Sequence, residues 1–275
     1  MANYFLSMNP LVHLEKNLPN LASVENPEVE SLIRGAQGVV MPRGITRKRY
    51  QKIAAMAKNW FPNLNAKYDY SGKTKQALLF KLLRIRHPVT ILYPKPRVLL
   101  DTEGKRLPLD YPFVLKGDNG GGGSTVFPVY CKKDLIDGLH RLPAEEALLI
   151  QSWVNHRGMD LRVVVVGAKM VSYFRVGGEN FYNNVCRGGR MHPEIFPELQ
   201  KRGMAAVARF CHLVRINLAG FDLMFPDEGP PLFIEINFNF GRKGLGGTPG
   251  FRKLFREAVE LWQQGLAYPT PMWDV

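Results

Sequence analysis

The stretch Pro231-Leu-Phe-Ile-Glu-Ile-Asn-Phe-Asn-Phe-Gly241 sets polar oxygens into a run that is otherwise apolar. Glu235, Asn237 and Asn239 alternate with Ile234, Ile236, Phe238 and Phe240. Side chains two apart on a strand share a face, so the three polar groups point the same way. Just upstream, Ala219-Gly-Phe-Asp-Leu-Met-Phe225 places Asp222 in a second apolar strand. Buried polar groups of this kind must be satisfied, because an unpaired buried carboxylate is costly. A magnesium ion does so: it favours oxygen ligands and, in nucleotide enzymes, binds through one or two carboxylates plus substrate phosphates. An edge strand with one face in water gives the same alternation, so the strand alone leaves both readings open.

With 275 residues the chain is long enough for a large core and two or three subdomains. It is 45% hydrophobic and 22% charged, as soluble globular proteins are. No apolar run approaches the roughly 20 residues that span a bilayer. The N-terminus lacks the basic start and apolar core of a signal peptide, so a cytoplasmic location is the default expectation. Cys131, Cys186 and Cys211 are too scattered to indicate a zinc site or a disulfide framework. The net charge of +13 steers anionic partners. Arg43, Arg47, Lys48 and Arg49 form one basic cluster, read as a solvated face ahead of a binding site. Nucleic-acid binding stays open on charge without being favoured.

Strands alternate with helices at the start of the chain, which suggests a small α/β lobe over residues 1–94. Within it, residues 27–36, 47–58 and 71–84 read as helices, the second capped by Thr46 and the third with Ala77, Leu78 and Leu82 on one face. Tyr93-Pro-Lys-Pro96 breaks the pattern and reads as a linker. Residues 95–275 form the second part, divided into 95–150 and 151–275. Phe113 to Lys116 is a strand that runs into Gly117-Asp-Asn-Gly-Gly-Gly-Gly-Ser-Thr125. Gly120, Gly121, Gly122 and Gly123 leave backbone N–H groups open to donate to phosphates. Lys116 at the strand end supplies a mobile point charge. The loop matches neither GxxxxGK[ST] nor GxGxxG, and by itself it leaves a flexible hairpin tip open as the lesser reading. Loop and acidic strand together are more specific, since phosphates need both donors and a cation. Asp160 and Arg162 begin another apolar strand, and Arg175, Asn183, Asn184, Arg187 and Arg190 follow closely. As a group they line a strongly cationic cleft.

In this order and spacing the motifs resemble the ATP-grasp ligases, and most closely the RimK-like enzymes that attach glutamate to an acceptor carboxylate. The resemblance runs through nearly the whole chain. It includes Phe5-Leu-Ser-Met-Asn-Pro10, Lys73 through His87-Pro-Val-Thr90, Val114-Leu-Lys116 and Ile150-Gln-Ser-Trp-Val154. It continues through Gly158-Met-Asp-Leu-Arg162, Phe181-Tyr-Asn-Asn-Val-Cys-Arg-Gly-Gly189, Gly220-Phe-Asp222 and Phe233-Ile-Glu-Ile-Asn237.

The resemblance implies an α/β (α+β) ATP-grasp fold, with ATP held between antiparallel sheets behind a small N-terminal α/β pre-ATP-grasp domain. It implies that Lys73 and Lys116 contact phosphates and that Gln151, Ser152 and Trp153 form the adenine hinge. Asp160 would hold the ribose side, and Asn183 and Asn184 would lie near the triphosphate. Asp222, Glu235 and Asn237 would bind two magnesium ions, with manganese as the alternative metal. Arg175 and Arg187 would stabilise an acyl phosphate and the transition state after it. The implied substrates are a carboxylate and an amino acid or other amine, and members of the family often assemble into homo-oligomers.

This chain departs from the family pattern in four respects. Gly72 precedes Lys73 where an acidic residue is usual, and Ser152 stands where the hinge often has Glu. Asn237-Phe-Asn-Phe-Gly241 replaces Asn-Ala-Ser-Pro-Gly and is followed by Arg242 and Lys243, which suggests an anionic substrate group. The N-terminal lobe is also compact. Rival readings are a kinase of the same fold, a silent nucleotide-binding protein and a nucleic-acid binder.

Overall fold

Three sheets, built in turn along the chain, organise the protein; the computed structural model describes residues 4–19, 22–101, 107–177 and 188–270. The first sheet is parallel. Strands β1 (Phe5–Ser7), β2 (Lys16–Asn17), β3 (Gly38–Val40) and β4 (Trp60–Phe61) lie in the order β2-β1-β3-β4. Helix α1 (Pro27–Gly35) starts with Asn26, whose side chain accepts the Glu28 N–H at 2.8 Å, and with Pro27 in its first turn. Helix α2 (Arg47–Met56) follows Thr46 as expected, but the Thr46 side chain makes no capping bond. The expected basic cluster disperses: Arg47 pairs with Asp69 at 3.0 Å, Arg49 donates to the Ala22 carbonyl, and Arg43 turns to Phe240.

Helices α3 (Asn65–Asp69) and α4 (Lys73–Leu82) lead into a second, antiparallel sheet. It contains β5 (Thr90–Tyr93), β6 (Phe113–Gly117), β7 (Val126–Val129) and β8 (Leu148–Ser152), in the order β5-β8-β6-β7. Short helix α5 (Pro96–Leu100) and helix α6 (Lys132–His140) accompany it. The strand Thr90–Tyr93 lies before residue 94 in sequence yet hydrogen-bonds to β8 in this sheet.

The third sheet, also antiparallel, runs β11-β10-β9-β12-β13. Its strands are β9 (Met159–Val166), β10 (Lys169–Val176), β11 (Arg190–His192), β12 (Leu218–Met224) and β13 (Leu232–Asn237). Helices α7 (Pro197–Val214) and α8 (Gly247–Gln263) cover it, and a 3-10 turn at Lys243–Leu245 precedes α8.

Two cores position the site. One joins α4, α7 and the third sheet through Leu79, Phe80, Val207, Phe210, Phe221 and Phe233. The other ties the N-terminal sheet to the third, with Phe61 beside Phe255 and Trp262 at ring distances of 5.5 and 5.9 Å. The expected apolar face of α4 is corrected. Leu78 and Leu82 are 53% and 76% exposed, whereas Lys73, Gln76, Ala77, Leu79 and Phe80 are buried. Hydrophobic periodicity misplaces this face because two of its inward positions carry polar side chains with defined tasks. Gln76 exchanges two hydrogen bonds with the Ile236 backbone, at 2.8 and 2.9 Å. It thereby continues the ladder on the open edge of β13, where unpaired backbone groups would otherwise remain.

Candidate active site

Across the β12–β13 pair, Asp222 stands opposite Glu235 and Gly220 opposite Asn237. The register then shifts, so that Leu223 faces Phe233 and Ile234 is the extra residue of a bulge. The bulge changes the alternation: Phe233 and Ile236 both enter the core, while Ile234, Glu235 and Asn237 line a cleft. Asn239, just beyond the strand, lines the same cleft.

The cleft holds about 480 Å³ and opens between the second and third sheets. That is within the usual size of a ligand pocket. Lys116, Gln151, Ser152 and Trp153 come from the second sheet and its exit; Asp160, Arg175, Asp222, Glu235 and Asn237 come from the third. Lys73 enters from the first turn of α4. Gly120, Gly122 and Gly123 line the cleft from the loop, but Gly121 does not. Asn183, Asn184 and Arg187 lie outside the described residues.

The charges form a connected set. Lys116 Nζ donates to Gln151 Oε1 at 2.6 Å, and Gln151 Nε2 donates in turn to Thr90 Oγ1 at 3.0 Å. Burial pushes the Lys116 amine down to about 8. Lys73 Nζ donates to the Gly120 carbonyl at 3.3 Å and lies 4.0 Å from the Glu235 carboxylate. Burial raises the Glu235 pKa, against the pull of Lys73.

Behind them, Arg162 holds Asp222 through two bonds of 2.5 and 3.1 Å. Arg175 holds Asp160 through two bonds of 2.8 and 2.5 Å and reaches Asp222 at 3.0 Å. Asn237 Nδ2 donates to Asp222 Oδ2 at 3.0 Å. Burial works against ionisation of Asp222, but Arg162 and Arg175 outweigh it and hold this carboxyl below its ordinary range.

These contacts bear on a divalent cation. Glu235 has a carboxylate facing the cleft, with Lys73 as its one ion pair among the described residues. Asn237 commits its amide nitrogen to Asp222, which leaves its Oδ1 as an acceptor. A carboxylate and an amide oxygen on neighbouring cleft positions fit a hard, oxygen-seeking ion. Asp222 is different, because donors from Arg162, Arg175 and Asn237 already meet both of its oxygens. Among the described residues, no group of three or more His, Cys, Asp or Glu side chains is placed to hold a metal ion by itself.

The remaining lining was not visible as site residues in the sequence. Val114, Val126, Met224 and Ile234 supply apolar lining, with Val114 opposite Gln151 in the β6–β8 pair. His156 and Tyr173 also line the cleft. Asp118 lies under the glycine loop and accepts from the Thr74 N–H at 2.7 Å and the Thr74 hydroxyl at 2.6 Å. Its carboxylate therefore caps α4 from outside the helix and fastens the loop to the Lys73 turn. A polar residue within a glycine-rich loop was the only signal for it.

Together, two facing antiparallel sheets, a glycine loop and a mixed lysine–carboxylate cleft define a protein built to hold a phosphorylated ligand. The chain belongs to the RimK-like ATP-grasp family, whose domain matches residues 71–251. It is similar to beta-citrylglutamate synthase B from Danio rerio, with 29% identity over 136 residues, 49% of this chain and 33% of that protein. A probable alpha-L-glutamate ligase from Syntrophotalea carbinolica is 31% identical over 140 residues, 50% of this chain and 44% of that protein. The matched segment thus spans less than half of either relative.

The fold is that of a RimK domain ATP-grasp protein from Sphaerobacter thermophilus, with a TM-score of 0.59, 15% identity and 81% of each chain covered. The VanG D-Ala:D-Ser ligase of Enterococcus faecalis aligns with a TM-score of 0.59 and 15% identity, over 82% of this chain and 73% of that one. The α/β ATP-grasp expectation is therefore met, and the family implies use of ATP and a divalent metal.

Proposed function

We propose that the protein is an ADP-forming ligase that joins a carboxylate to an amine through an acyl phosphate. The observation that carries this reading is the convergence of Lys73, Lys116, Glu235 and Asn237 on one cleft whose lining also includes apolar side chains. Adenine packs against Val114, Val126, Met224 and Ile234, with the backbone of Gln151 to Trp153 along its edge and Asp160 on the ribose side. Lys116 and Lys73 meet the phosphates, and Gly120, Gly122 and Gly123 turn N–H groups toward them. Glu235 and Asn237 hold magnesium, which neutralises phosphate charge when bound. Asp222 stands behind the pair and fixes the Asn237 amide, two ions are expected, and manganese is the alternative.

A substrate carboxylate oxygen attacks the γ-phosphorus and ADP leaves. An amine nitrogen then attacks the acyl carbon, phosphate departs with the carboxylate oxygen, and the nitrogen loses a proton as the amide forms. No side-chain nucleophile is required. Arg175 and Arg187 stabilise the anionic acyl phosphate and its transition state, and the cleft supplies orientation and fixed charge. Several relatives carry glutamate in their names, which supports glutamate as the amine. No helix among the described residues is long and apolar enough to cross a membrane. A cytoplasmic site of action, with ATP and magnesium at hand, completes the reading, and a homo-oligomer remains compatible with it.

Incubation with ATP, magnesium, glutamate and a pool of carboxylates, read by mass spectrometry, tests the reading. ADP together with a new amide mass supports it. A stable phosphorylated product without an amide favours a kinase instead.

A further inference from the structure

A row of side chains crosses the third sheet on the face that lines the cleft. Tyr173 on β10 pairs with Arg162 on β9, Arg162 with Asp222 on β12, and Asp222 with Glu235 on β13. All four line the cleft, as directly opposed residues of antiparallel strands share a face. The chain beyond β13 folds back over this row. Phe240 meets Gly220 on β12, where an added Cβ would lie 3.0 Å from the Phe240 Cβ. Four residues on, Gly244 in the Lys243–Leu245 turn rests against Tyr173 on β10. An added Cβ at Gly244 would lie 2.7 Å from the Tyr173 hydroxyl oxygen and closer still to the ring. Gly244 needs no left-handed backbone, so this contact rather than φ calls for glycine there.

The charged groups around Tyr173 already answer one another: Arg162 holds Asp222, and Arg175 holds Asp160 and Asp222. Tyr173 differs. It is 6% exposed, yet among the described residues its hydroxyl has no hydrogen-bond partner. A buried hydroxyl left unpaired costs free energy, and packing against Gly244 needs only the ring. A purely structural role would therefore be met by phenylalanine. A phenol is protonated at neutral pH, and burial raises its pKa further, so the hydroxyl is a neutral donor beside two committed guanidiniums.

We infer that Tyr173 is a further catalytic residue of the ligase reaction, its hydroxyl donating to the acyl oxygen that becomes an oxyanion when the amine attacks. The assignment rests on the ligase reading. Lys73 meets Glu235 at the far end of the row, so with phosphates placed there the carboxyl group under activation extends along the row toward Tyr173. As the amine nitrogen bonds to the acyl carbon, the carbonyl π pair moves onto the acyl oxygen and meets the Tyr173 O–H. The pair returns as the bond from acyl carbon to the phosphate oxygen breaks, and the departing phosphate takes the proton that nitrogen loses. Tyr173 keeps its own proton throughout. Acyl-phosphate formation places no new charge on that oxygen, so amide formation depends on Tyr173 more than the first step does.

Tyr173→Phe and Gly244→Ala are compared with the wild type in the carboxylate and amine mixture that the wild type converts, with ADP and amide counted separately. Tyr173→Phe removes one oxygen and keeps the ring, so its thermal melt should match the wild type. Its amide formation should fall about 100-fold, as loss of one oxyanion donor does. ADP release should fall much less, because acyl phosphate still forms and is lost to water, so ADP made per amide rises. The KM for ATP should stay within about twofold. Gly244→Ala, which drives the ring aside, should show the same excess of ADP over amide. Wild-type amide formation in Tyr173→Phe, or ADP and amide falling together in it, would overturn the inference while the ligase reading stands. A wild type that forms no amide would instead overturn the ligase reading, and the inference with it.

Discussion

Asp222 and Glu235 face each other on paired strands, yet their surroundings are opposite in character. Asp222 is clasped by Arg162 and Arg175, whereas Glu235 has Lys73, at 4.0 Å, as its one ion pair among the described residues. One carboxylate is therefore built into the framework, and the other is less tightly held among the described residues.

This difference predicts a split between stability and activity. Asp222→Asn removes the carboxylate charge that Arg162 and Arg175 share and should cost about 3–5 kcal/mol, the usual penalty for breaking a buried pair. Glu235→Gln should leave stability unchanged or improved. Burial raises the Glu235 pKa in the folded state, so its ionisation costs stability as pH rises from the unfolded value through the folded one. Activity of Glu235→Gln should nonetheless fall by roughly 100-fold or more, because charge neutralisation in the cleft is lost. Denaturant melts beside magnesium-dependent ADP release check both halves.

Lys116 makes a pH prediction. Its pKa is depressed to about 8 from 10.5 by burial. For a base shifted downward, the associated stability is present above the unfolded value and lost as pH falls toward about 8. Lys116→Met should flatten that part of the stability profile. Bound phosphate favours the charged amine, so wild-type nucleotide binding should take up a proton above pH 8 and weaken as pH rises further. In Lys116→Met the affinity should drop about tenfold or more at neutral pH, with the proton uptake gone. Calorimetry in buffers of different ionisation enthalpy measures both effects.

Gly72 and Asp118 supply a third test. Gly72 has φ +91° and ψ 150°, a conformation open essentially to glycine alone, and a Cβ there would press into the Asp118 carboxylate. Gly72→Ala should cost about 1–3 kcal/mol. Asp118→Ala should cost about 1 kcal/mol through the lost cap on Thr74. Because Asp118 also fastens the glycine loop, this variant should raise the KM for ATP more than it lowers kcat. An unchanged KM would separate the loop from nucleotide binding.

The fold was legible wherever its signals were local. The apolar runs that became β9, β12 and β13 appear at nearly their expected positions. The polar strand of Glu235 and Asn237 and the loop of Gly120 to Gly123 pointed to one cleft, and all but Gly121 line it. What escaped the sequence is relational. The inward face of α4 carries Lys73 and Gln76, so an apolar stripe names the wrong residues. The bulge at Ile234 depends on pairing with β12 rather than on a turn residue. Arg43 reads as part of a basic run until the chain brings it onto Phe240, 197 residues away. The Arg162–Asp222–Arg175 linkage arises only when three strands align.

The most direct measurement follows the oxygen. Turnover of an 18O-carboxylate pool with ATP, magnesium and glutamate should release inorganic phosphate carrying one 18O for each amide formed. Unlabelled phosphate, or label retained in a stable phosphorylated product, would contradict the acyl-phosphate account.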